Sequence, residues 1–443
     1  NFYQTEREIA YRIKKLQESK NIKKILNLNT QLKKAEQISS IELSEKQREA
    51  LKLVNENNVS IITGGPGTGK TTIIETIVEI YKEIKDLTYD DLIDKIALLA
   101  PTGRASKRMS EATNLPATTI HRFLKWNKEN NEFMVNETNK DFSELVIIDE
   151  VSMIDINLFS SLFKGITTNA KLILVGDYNQ LPSVGAGNIL KDLIDCQKID
   201  TIYLDLLYRQ DENSYINNLA HDIKNGNLSE EFLKTKNDYA FLNCSSDSIL
   251  ETLKTTCQRL VEKDIDQKRI QLMAPMYAGI NGIDNLNKEL QKIFNPEDHN
   301  KNEIRYGDIV FRENDKILQL VNMPDDNVFN GDVGYIKYII KAANSKSKKN
   351  EIYVDYDGNV VKYLPIISIH KSQGSEFDLV IIPICMSYYR MLYRKLIYTA
   401  ITRAKKKLII IGEANAFKYS VDNNNEYIRK TNLCEKLKNM YND

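Results

Sequence analysis

Between residues 41 and 205, short runs of apolar and β-branched residues alternate with longer segments of helical periodicity. The runs have the length of buried strands, and they are Val59–Thr63, Ile96–Ala100, Leu145–Asp149 and Leu172–Gly176. Continuous apolar strands separated by helices are typical of a parallel sheet that is covered by helices on both faces. The pattern therefore predicts an α/β fold for this part of the chain.

A polar, Asn-rich stretch at 125–141 interrupts the alternation. It surrounds a short apolar centre, which is compatible either with a hairpin or with a flexible loop inserted in the sheet domain. Two aromatic residues near its start, Phe123 and Trp126, have two open interpretations. They stack on nucleic-acid bases, or they pack within the core or the hairpin.

Residues 1–40 form a basic segment with apolar residues at interrupted helical spacing. The apolar positions are Ile9, Ile13, Leu16, Ile25, Leu28 and Leu32. Nine basic and four acidic residues lie in the same segment. We expect helices whose charged face is solvated, and a DNA-facing surface is the alternative.

A second α/β region begins near residue 206 and is interrupted by a stretch of different character at 305–363. Short strands are predicted in this stretch at Ile309–Arg312, Gly334–Ile340 and Glu351–Tyr356, with turn dipeptides at Asn330-Gly331 and Asp357-Gly358. Such a pattern predicts a small antiparallel unit. Parallel strands are then predicted at Ile366–Ser368, Val380–Pro383 and Leu408–Gly412.

The composition excludes several classes of protein. The 443 residues include 61 basic and 61 acidic side chains, and 42% of the residues are hydrophobic. No apolar run approaches the ~18 residues of a membrane span, and the N-terminus has no apolar signal-peptide core. The five cysteines are far apart, which argues against a zinc or iron–sulfur site and favours a reducing, cytoplasmic location. The first residue is Asn, as expected for a fragment of a longer chain.

The segment from Gly64 to Thr71 matches the phosphate-binding pattern G-x-x-x-x-G-K-[ST]. It follows a predicted strand and precedes a predicted helix, which is the setting that this motif requires. Backbone N–H groups of such a loop bind phosphates at the helix N-terminus. We therefore predict nucleotide contacts from Gly65, Gly67, Thr68, Gly69, Lys70, Thr71 and Thr72. Lys70 would reach the β and γ phosphates, and the Thr71 hydroxyl would ligate Mg²⁺.

An acidic pair, Asp149 and Glu150, follows a later apolar run. We predict that Asp149 holds Mg²⁺ and that Glu150 orients and deprotonates the attacking water. Together with the phosphate loop, this pair indicates NTP hydrolysis, and ATP is favoured because the sequence has no guanine-reading N-K-x-D motif. Three further side chains are candidates for contact with the γ phosphate: Gln180, Arg209 and Arg403.

The chain resembles a superfamily 1 ATP-dependent DNA helicase of the RecD/TraA branch. The resemblance rests on stretches that follow one another in the family's order from about 41 to 412. They are LSEKQREAL (43–51), GGPGTGKTT (64–72), LLAPTGRASKRMSE (98–111), TIHRFL (119–124), LVIIDEVSMID (145–155), LILVGDYNQLPSVGAGNIL (172–190), LYRQ (207–210), MAPMYAGINGIDNLNKELQ (273–291), FNGDVG (329–334), ISIHKSQGSEFDLVII (367–382) and LIYTAITRAKK (396–406).

The resemblance implies roles for individual residues. Gln47 would read the adenine, and Gly374 and Glu376 would lie near the nucleotide. Arg209 and Arg403 would come from a second motor lobe and stabilise the γ phosphate. DNA contacts are implied for Thr102, Arg104, Thr119, His121, His370 and Ser372.

The resemblance also implies an architecture of two RecA-like P-loop lobes with parallel sheets and two insertions. The implied domains are a basic helical segment at 1–40, lobe 1 at 41–205 with a strand-separating hairpin or pin at 125–141, lobe 2 at 206–304 and 364–443, and an SH3-like β-barrel at 305–363.

The implied activity is ATP- and Mg²⁺-dependent movement along single-stranded DNA, 5′ to 3′, in DNA repair or recombination. The implied partners are single-stranded DNA and junctions of single- and double-stranded DNA, and the motor is expected to be a monomer with repair-protein partners. Two alternatives stay open. One is a translocase that unwinds poorly, and the other is a DNA-binding ATPase subunit of a larger repair complex. An RNA helicase is a weaker option, because readers of the 2′-OH are not recognisable in the sequence.

Overall fold

The computed structural model describes residues 2–20, 27–39, 42–127, 130, 132–205, 214–319, 323, 326, 328, 331–345, 347–363, 376–424 and 429–441. The chain divides into two compact units. Unit 1 comprises Asn1–Glu212 and Tyr427–Asp443, and unit 2 comprises Asn213–Glu426. In the described part of the chain, no helix combines the length and the apolar character needed to cross a lipid bilayer.

Unit 1 contains helices around a central parallel sheet. Its elements before the chain enters unit 2 are α1 (Phe2–Glu18), α2 (Leu28–Ser39), α3 (Glu45–Glu56), β1 (Val59–Gly64), α4 (Lys70–Lys85), α5 (Tyr89–Lys95), β2 (Ile96–Ala100), α6 (Gly103–Thr113), β3 (Ala117–Thr119), α7 (Ile120–Phe123), β4 (Trp126–Asn127), β5 (Glu132–Phe133), β6 (Leu145–Ile148), α8 (Ile156–Gly165), β7 (Lys171–Gly176), α9 (Ile189–Asp195) and β8 (Asp200–Leu204).

Six strands of unit 1 form one parallel sheet in the order β3-β2-β6-β7-β1-β8. The predicted α/β fold is confirmed, because the four apolar runs are β1, β2, β6 and β7, and all four lie inside the sheet. They are buried on both faces. The edge strands β3 and β8 were not predicted, since a half-exposed edge strand needs no continuous apolar run.

The structure decides between the two interpretations of the 125–141 stretch. Strands β4 and β5 pair antiparallel, with Trp126 opposite Phe133 and Asn127 opposite Glu132. The rings of Trp126 and Phe133 pack edge to face, with centroids 4.8 Å apart. The first half of the stretch, residues 126–133, is therefore a short hairpin, and the aromatic pair stabilises its base by about 0.5–1.5 kcal/mol.

Unit 2 contains a second parallel sheet and an antiparallel insertion. Its elements are α10 (Tyr215–Asn225), β9 (Tyr239–Asn243), α11 (Ile249–Glu262), β10 (Ile270–Leu272), α12 (Ile283–Phe294), β11 (Glu303–Tyr306), β12 (Ile309–Arg312), β13 (Lys316–Leu318), β14 (Val333–Ile340), β15 (Glu351–Tyr356), β16 (Asn359–Tyr363), β17 (Phe377–Ile384), α13 (Arg394–Ile401), β18 (Ala404–Gly412) and α14 (Ala414–Asp422). The parallel sheet has the order β10-β17-β18-β9. The predicted strand at Ile366–Ser368 lies outside the described residues.

The antiparallel unit predicted at 305–363 is present as a four-stranded sheet, β13-β14-β15-β16, and a two-stranded ribbon, β11-β12. The turn between β15 and β16 is the predicted Asp357-Gly358 dipeptide, whose φ angles are 52° and 95°. Two positive φ angles in succession fit the tight hairpin turn that Asp-Gly favours. The unit extends further back than predicted, because Asn295 at the end of α12 donates hydrogen bonds to Glu313 O (2.9 Å) and Asp315 Oδ1 (2.7 Å).

The last helix, α15 (Leu433–Met440), belongs to unit 1, so the prediction that all of 364–443 belongs to lobe 2 is wrong. Leu433 and Leu437 of this helix lie in the same buried cluster as Ile9 and Ile13 of α1. Residues 1–40 are likewise no separate segment. The apolar face of α1 is core. Of its charged residues, Arg7 and Lys15 are exposed as expected, whereas Glu6 is buried and pairs with Lys436.

Candidate nucleotide and DNA site

The phosphate loop connects the end of β1 to the start of α4. Gly67 and Gly69 have φ angles of 76° and 83°, which glycine adopts without strain. A Cβ atom built on Gly64 would lie 2.6 Å from Thr68 Oγ1 and 2.8 Å from Leu204 O. The loop backbone is therefore tightly folded, and only glycine fits at position 64.

The predicted phosphate-binding lysine lies across the mouth of this loop. Lys70 Nζ donates hydrogen bonds to Gly64 O (2.7 Å) and Gly65 O (2.8 Å), and Thr68 Oγ1 also donates to Gly65 O at 2.8 Å. Gly69, at the N-cap of α4, has no side chain to cap the first N–H groups of the helix. These N–H groups and the ammonium group together form the donor set that a phosphate requires. Gly65 and Thr72 lie on the same stretch and are partly exposed.

The acidic pair follows β6, two strands from β1 in the sheet. Asp149 Oδ1 accepts a hydrogen bond from the Glu150 N–H at 2.8 Å. Glu150 has a positive φ of 53°, which turns the chain sharply at this point. Burial, and then the Glu150 carboxylate, raise the pKa of Asp149, while Lys70 opposes the rise. The ionised form of Asp149 is therefore disfavoured here unless a further cation compensates for its burial.

A buried carboxylate beside a second carboxylate fits a divalent cation. The Asp149 carboxylate would hold it together with the Thr71 hydroxyl, which is exposed in the first turn of α4. Oxygen donors of this kind are those that Mg²⁺ prefers.

The side chain of Gln47 takes part in a helix cap. Gln47 Oε1 accepts from the Ser44 N–H (2.9 Å), and the backbone N–H of Gln47 donates to Ser44 Oγ (3.1 Å). The two residues form a capping box at the start of α3. Gln47, the residue expected to contact the adenine, is thus held in a fixed position. Its side-chain carbonyl oxygen accepts a hydrogen bond within the helix cap.

The candidate γ-phosphate residues are divided between the units. Gln180 is buried in the loop after β7, and its N–H donates to Asp177 O at 3.2 Å. Arg403 lies in unit 2 just before β18, and its Nε donates to Thr399 O at 3.1 Å. Glu376 of unit 2 pairs with Lys405 at 3.6 Å. Arg209, Gly374, His370 and Ser372 lie outside the described residues.

The described candidates for DNA contact lie where β2 and β3 end. Thr102 caps α6 by accepting from the Ala105 N–H, and Thr119 caps α7 by accepting from the Arg122 N–H, both at 3.3 Å. Arg104 is in the first turn of α6. His121 is exposed on α7, with its ring 6.0 Å from that of Phe133. The parallel sheet places all these groups at the carboxyl ends of its strands, the edge at which ligands bind in α/β folds.

Two arginines at this edge were not predicted from the sequence. Arg108 Nη2 on α6 lies 3.9 Å from Glu150 Oε1. Its position one helical turn after Arg104 was a signal that could have identified it. Arg429 donates hydrogen bonds to the loop that follows Gln180. No local signal marks Arg429, because it is far from that loop in the sequence.

Three family models match consecutive parts of the chain. An AAA domain matches residues 47–186, the SH3 domain of ATP-dependent RecD-like DNA helicases matches 286–356, and the C-terminal domain of UvrD-like helicases matches 363–411. The chain is also 30% identical to the ATP-dependent RecD2 DNA helicase of Deinococcus radiodurans over 406 residues, which is 89% of this chain and 52% of that protein. The chain belongs to the RecD-like helicase family.

A second curated relative and one solved structure are also similar to this chain. The RecBCD enzyme subunit RecD of Mycolicibacterium smegmatis is 26% identical over 427 residues, which cover 89% of this chain and 75% of that protein. The Pif1 helicase of Candida albicans has a similar fold, with a TM-score of 0.50 and 19% identity over 91% of this chain and 99% of the other. This RecD-like chain spans about half the length of the Deinococcus RecD2 helicase.

Proposed function

We propose that this RecD-like chain is the motor of an ATP-dependent DNA helicase. The proposal rests on one observation above all: the Lys70 phosphate loop and the Asp149–Glu150 pair lie at the carboxyl ends of strands in one parallel sheet. This is the arrangement that phosphoryl transfer to water needs. The relatives named RecD2 DNA helicase and RecD support DNA as the polymer on which the motor acts.

In the proposed reaction, the N–H groups of the phosphate loop and Lys70 bind the phosphates of ATP. Mg²⁺, held by Thr71 and Asp149, would neutralise charge on the phosphate oxygens. Glu150 orients the attacking water and accepts its proton. The γ phosphate would be contacted by Gln180, Arg209 and Arg403. Hydrolysis removes these contacts, and this loss would drive the change in the motor.

The DNA path of the proposal begins at the ends of β2 and β3. Thr102, Arg104, Thr119 and His121 would contact the sugar–phosphate backbone, together with His370 and Ser372 of unit 2. Such contacts position DNA without reading its sequence. The hairpin of β4 and β5 would act as the pin. One base step costs about 1.4 kcal/mol to separate, so one ATP per base is ample.

We propose movement from 5′ to 3′ and a role in DNA repair or recombination, both by analogy with the family. A second candidate function is that of an ATPase subunit in a larger complex, which the RecBCD subunit relatives favour. A translocase with weak unwinding is the third.

The test is unwinding of matched duplexes that carry either a 5′ or a 3′ single-stranded tail, with ATP and Mg²⁺. We expect that only the 5′-tailed duplex opens, and that Lys70→Ala opens neither. If only the 3′-tailed duplex opens, the proposed direction is wrong and the proposed motor function stands. If neither opens while single-stranded DNA still stimulates hydrolysis, the helicase proposal is wrong and a translocase or subunit role replaces it.

A further inference from the structure

The loop at 183–187 follows Gln180 and packs against the start of α8. The Ile156 N–H donates a hydrogen bond to Ala186 O at 2.9 Å. A Cβ atom built on Gly185 would lie 2.6 Å from the Asp155 Cβ, so the loop backbone touches the N-cap residue of α8 directly. Asp155 ends the short segment that begins with Glu150. The 183–187 loop thus contacts the segment that carries the proposed catalytic base.

Arg429 holds this loop. Its Nη1 donates to Gly187 O at 2.6 Å and to Ser183 Oγ at 3.3 Å. Further hydrogen bonds run from Nη1 to Gly185 O and from Nη2 to Ser183 O. A planar guanidinium presents several N–H donors in fixed directions, whereas lysine offers a single nitrogen. One side chain therefore fixes three backbone carbonyl groups of the loop.

Arg429 is also the first described residue after the chain leaves unit 2, which ends at Glu426. The residues that follow it are tied to unit 1. Thr431 Oγ1 donates to Asp192 Oδ1 at 2.9 Å, and Asn432 N donates to Glu6 Oε1 at 3.0 Å. The C-terminal part of unit 1 therefore holds the 183–187 loop through Arg429.

We propose that Arg429 is a positioning residue that couples ATP hydrolysis to movement on DNA. The proposal rests on the motor function proposed above. Arg429 keeps the 183–187 loop in one position, so a change at Gln180 on loss of the γ phosphate is passed on by the loop. The loop passes this change to the segment of Glu150, whose carboxylate lies 3.9 Å from Arg108 on α6, the helix with the proposed DNA contacts. Arg429 touches neither nucleotide nor DNA in this scheme.

The experiment compares Arg429→Ala and Arg429→Lys with wild type and with Lys430→Ala, which alters the exposed neighbouring residue. The measured quantities are ATP hydrolysis without DNA, its stimulation by single-stranded DNA, and the ATP consumed per base pair opened. For Arg429→Ala we expect DNA-free hydrolysis within about twofold of wild type and about fivefold more ATP per base pair. Arg429→Lys should lie close to Arg429→Ala, and Lys430→Ala close to wild type.

Hydrogen exchange supplies a readout that does not depend on activity. Without nucleotide, peptides covering 183–192 should exchange faster in Arg429→Ala than in wild type, while peptides from β6 and β7 stay protected. If Arg429→Ala does not fold, Gly185→Ala displaces the same loop from its other side and should raise the ATP consumed per base pair in the same way.

The proposal would be overturned if both Arg429 variants matched wild type in three quantities. These are the stimulation of ATP hydrolysis by DNA, the ATP consumed per base pair, and the hydrogen exchange of the 183–187 loop. A wild-type protein that shows no DNA-stimulated hydrolysis would instead overturn the motor function itself. The two failures are thus distinguishable.

Discussion

The guanidinium of Arg108 lies 3.9 Å from the carboxylate of Glu150. The Glu150 side chain is only 13% exposed, so solvent screens this pair less than it screens a surface ion pair. Arg108 is on α6, the helix that Thr102 caps and that carries Arg104 in its first turn. One rigid helix therefore connects proposed DNA contacts to the proposed catalytic base.

Removing this cation should weaken the response to DNA. We expect that Arg108→Ala lowers the ATPase rate in the presence of single-stranded DNA by about tenfold. This loss is smaller than the rate enhancement that a general base itself contributes. The affinity for ATP should change little, because Arg108 is not part of the phosphate loop. Steady-state kinetics with and without DNA measure both. Lys107→Ala, on the exposed neighbouring position, is the control, and equal stimulation in the two variants would refute the role of Arg108.

Lys70→Ala should remove ATP hydrolysis and leave the fold intact. The ammonium group contacts only two loop carbonyl groups among the hydrogen bonds described, and no core packing is lost. We expect a rate at least about 100-fold lower, as for other groups that stabilise transition-state charge. Lys82→Ala, on the exposed face of the same helix, should retain activity. Residual wild-type turnover in a clean preparation of Lys70→Ala would show that the site is elsewhere.

Arg403→Ala should bind ATP and fail to hydrolyse it. An arginine that stabilises the transferred phosphoryl group contributes about 10³-fold to the rate. Binding of a fluorescent ATP analogue and single-turnover hydrolysis separate the two steps. Since Arg403 is buried and its Nε donates to Thr399 O, thermal unfolding must be measured alongside. Lys406→Ala, at an exposed position of β18, is the matched control. Equal turnover with and without Arg403 would exclude it from catalysis.

The hairpin should matter for unwinding and not for hydrolysis. Trp126 is 42% exposed and forms an edge-to-face pair with Phe133. Loss of this pair removes about 1 kcal/mol from the hairpin, so Trp126→Ala should unwind duplexes about fivefold more slowly. Hydrolysis on single-stranded DNA should be unchanged. Phe142→Ala, at an aromatic residue that is 80% exposed and outside the hairpin strands, is the control. An unaltered unwinding rate in Trp126→Ala would argue against a pin.

Asp192 should make the stability of unit 1 depend on pH. Burial raises its pKa to about 6, Thr431 opposes the rise by donating a hydrogen bond, and the Glu6 carboxylate adds to it. A raised pKa favours the protonated form in the folded state. Its contribution to stability is therefore complete below pH ~4 and is lost as the pH rises through about 6.

Asp192→Asn should consequently raise the melting temperature by about 2–4 °C at pH 7.5 and have little effect at pH 4. Asparagine keeps the oxygen that accepts from Thr431. Asp195→Asn, an exposed change on the same helix that breaks the surface pair with Lys191, should show a much weaker pH dependence. Melting curves across this pH range test the pair of variants. A constant difference at all pH values would mean that Asp192 is ionised normally.

The sequence by itself determined the features that are local or periodic. The phosphate loop from Gly64 to Thr71 and the Asp149–Glu150 pair were recognisable because their chemistry requires fixed spacing. The interior strands β1, β2, β6 and β7 were recognisable because a strand buried on both faces must be continuously apolar. Asp357-Gly358 was recognisable because few dipeptides tolerate two positive φ angles.

Only the tertiary structure decided the features that join distant parts of the chain. The return of α15 to unit 1, the buried pair of Glu6 with Lys436, and the contacts of Arg429 with the 183–187 loop all link residues more than two hundred positions apart. Such contacts leave no local pattern. The residues around an arginine in the sequence do not reveal whether its side chain binds distant carbonyl groups or lies in water. Their existence depends on which surfaces the packed cores bring together, and that is fixed only when the whole chain folds.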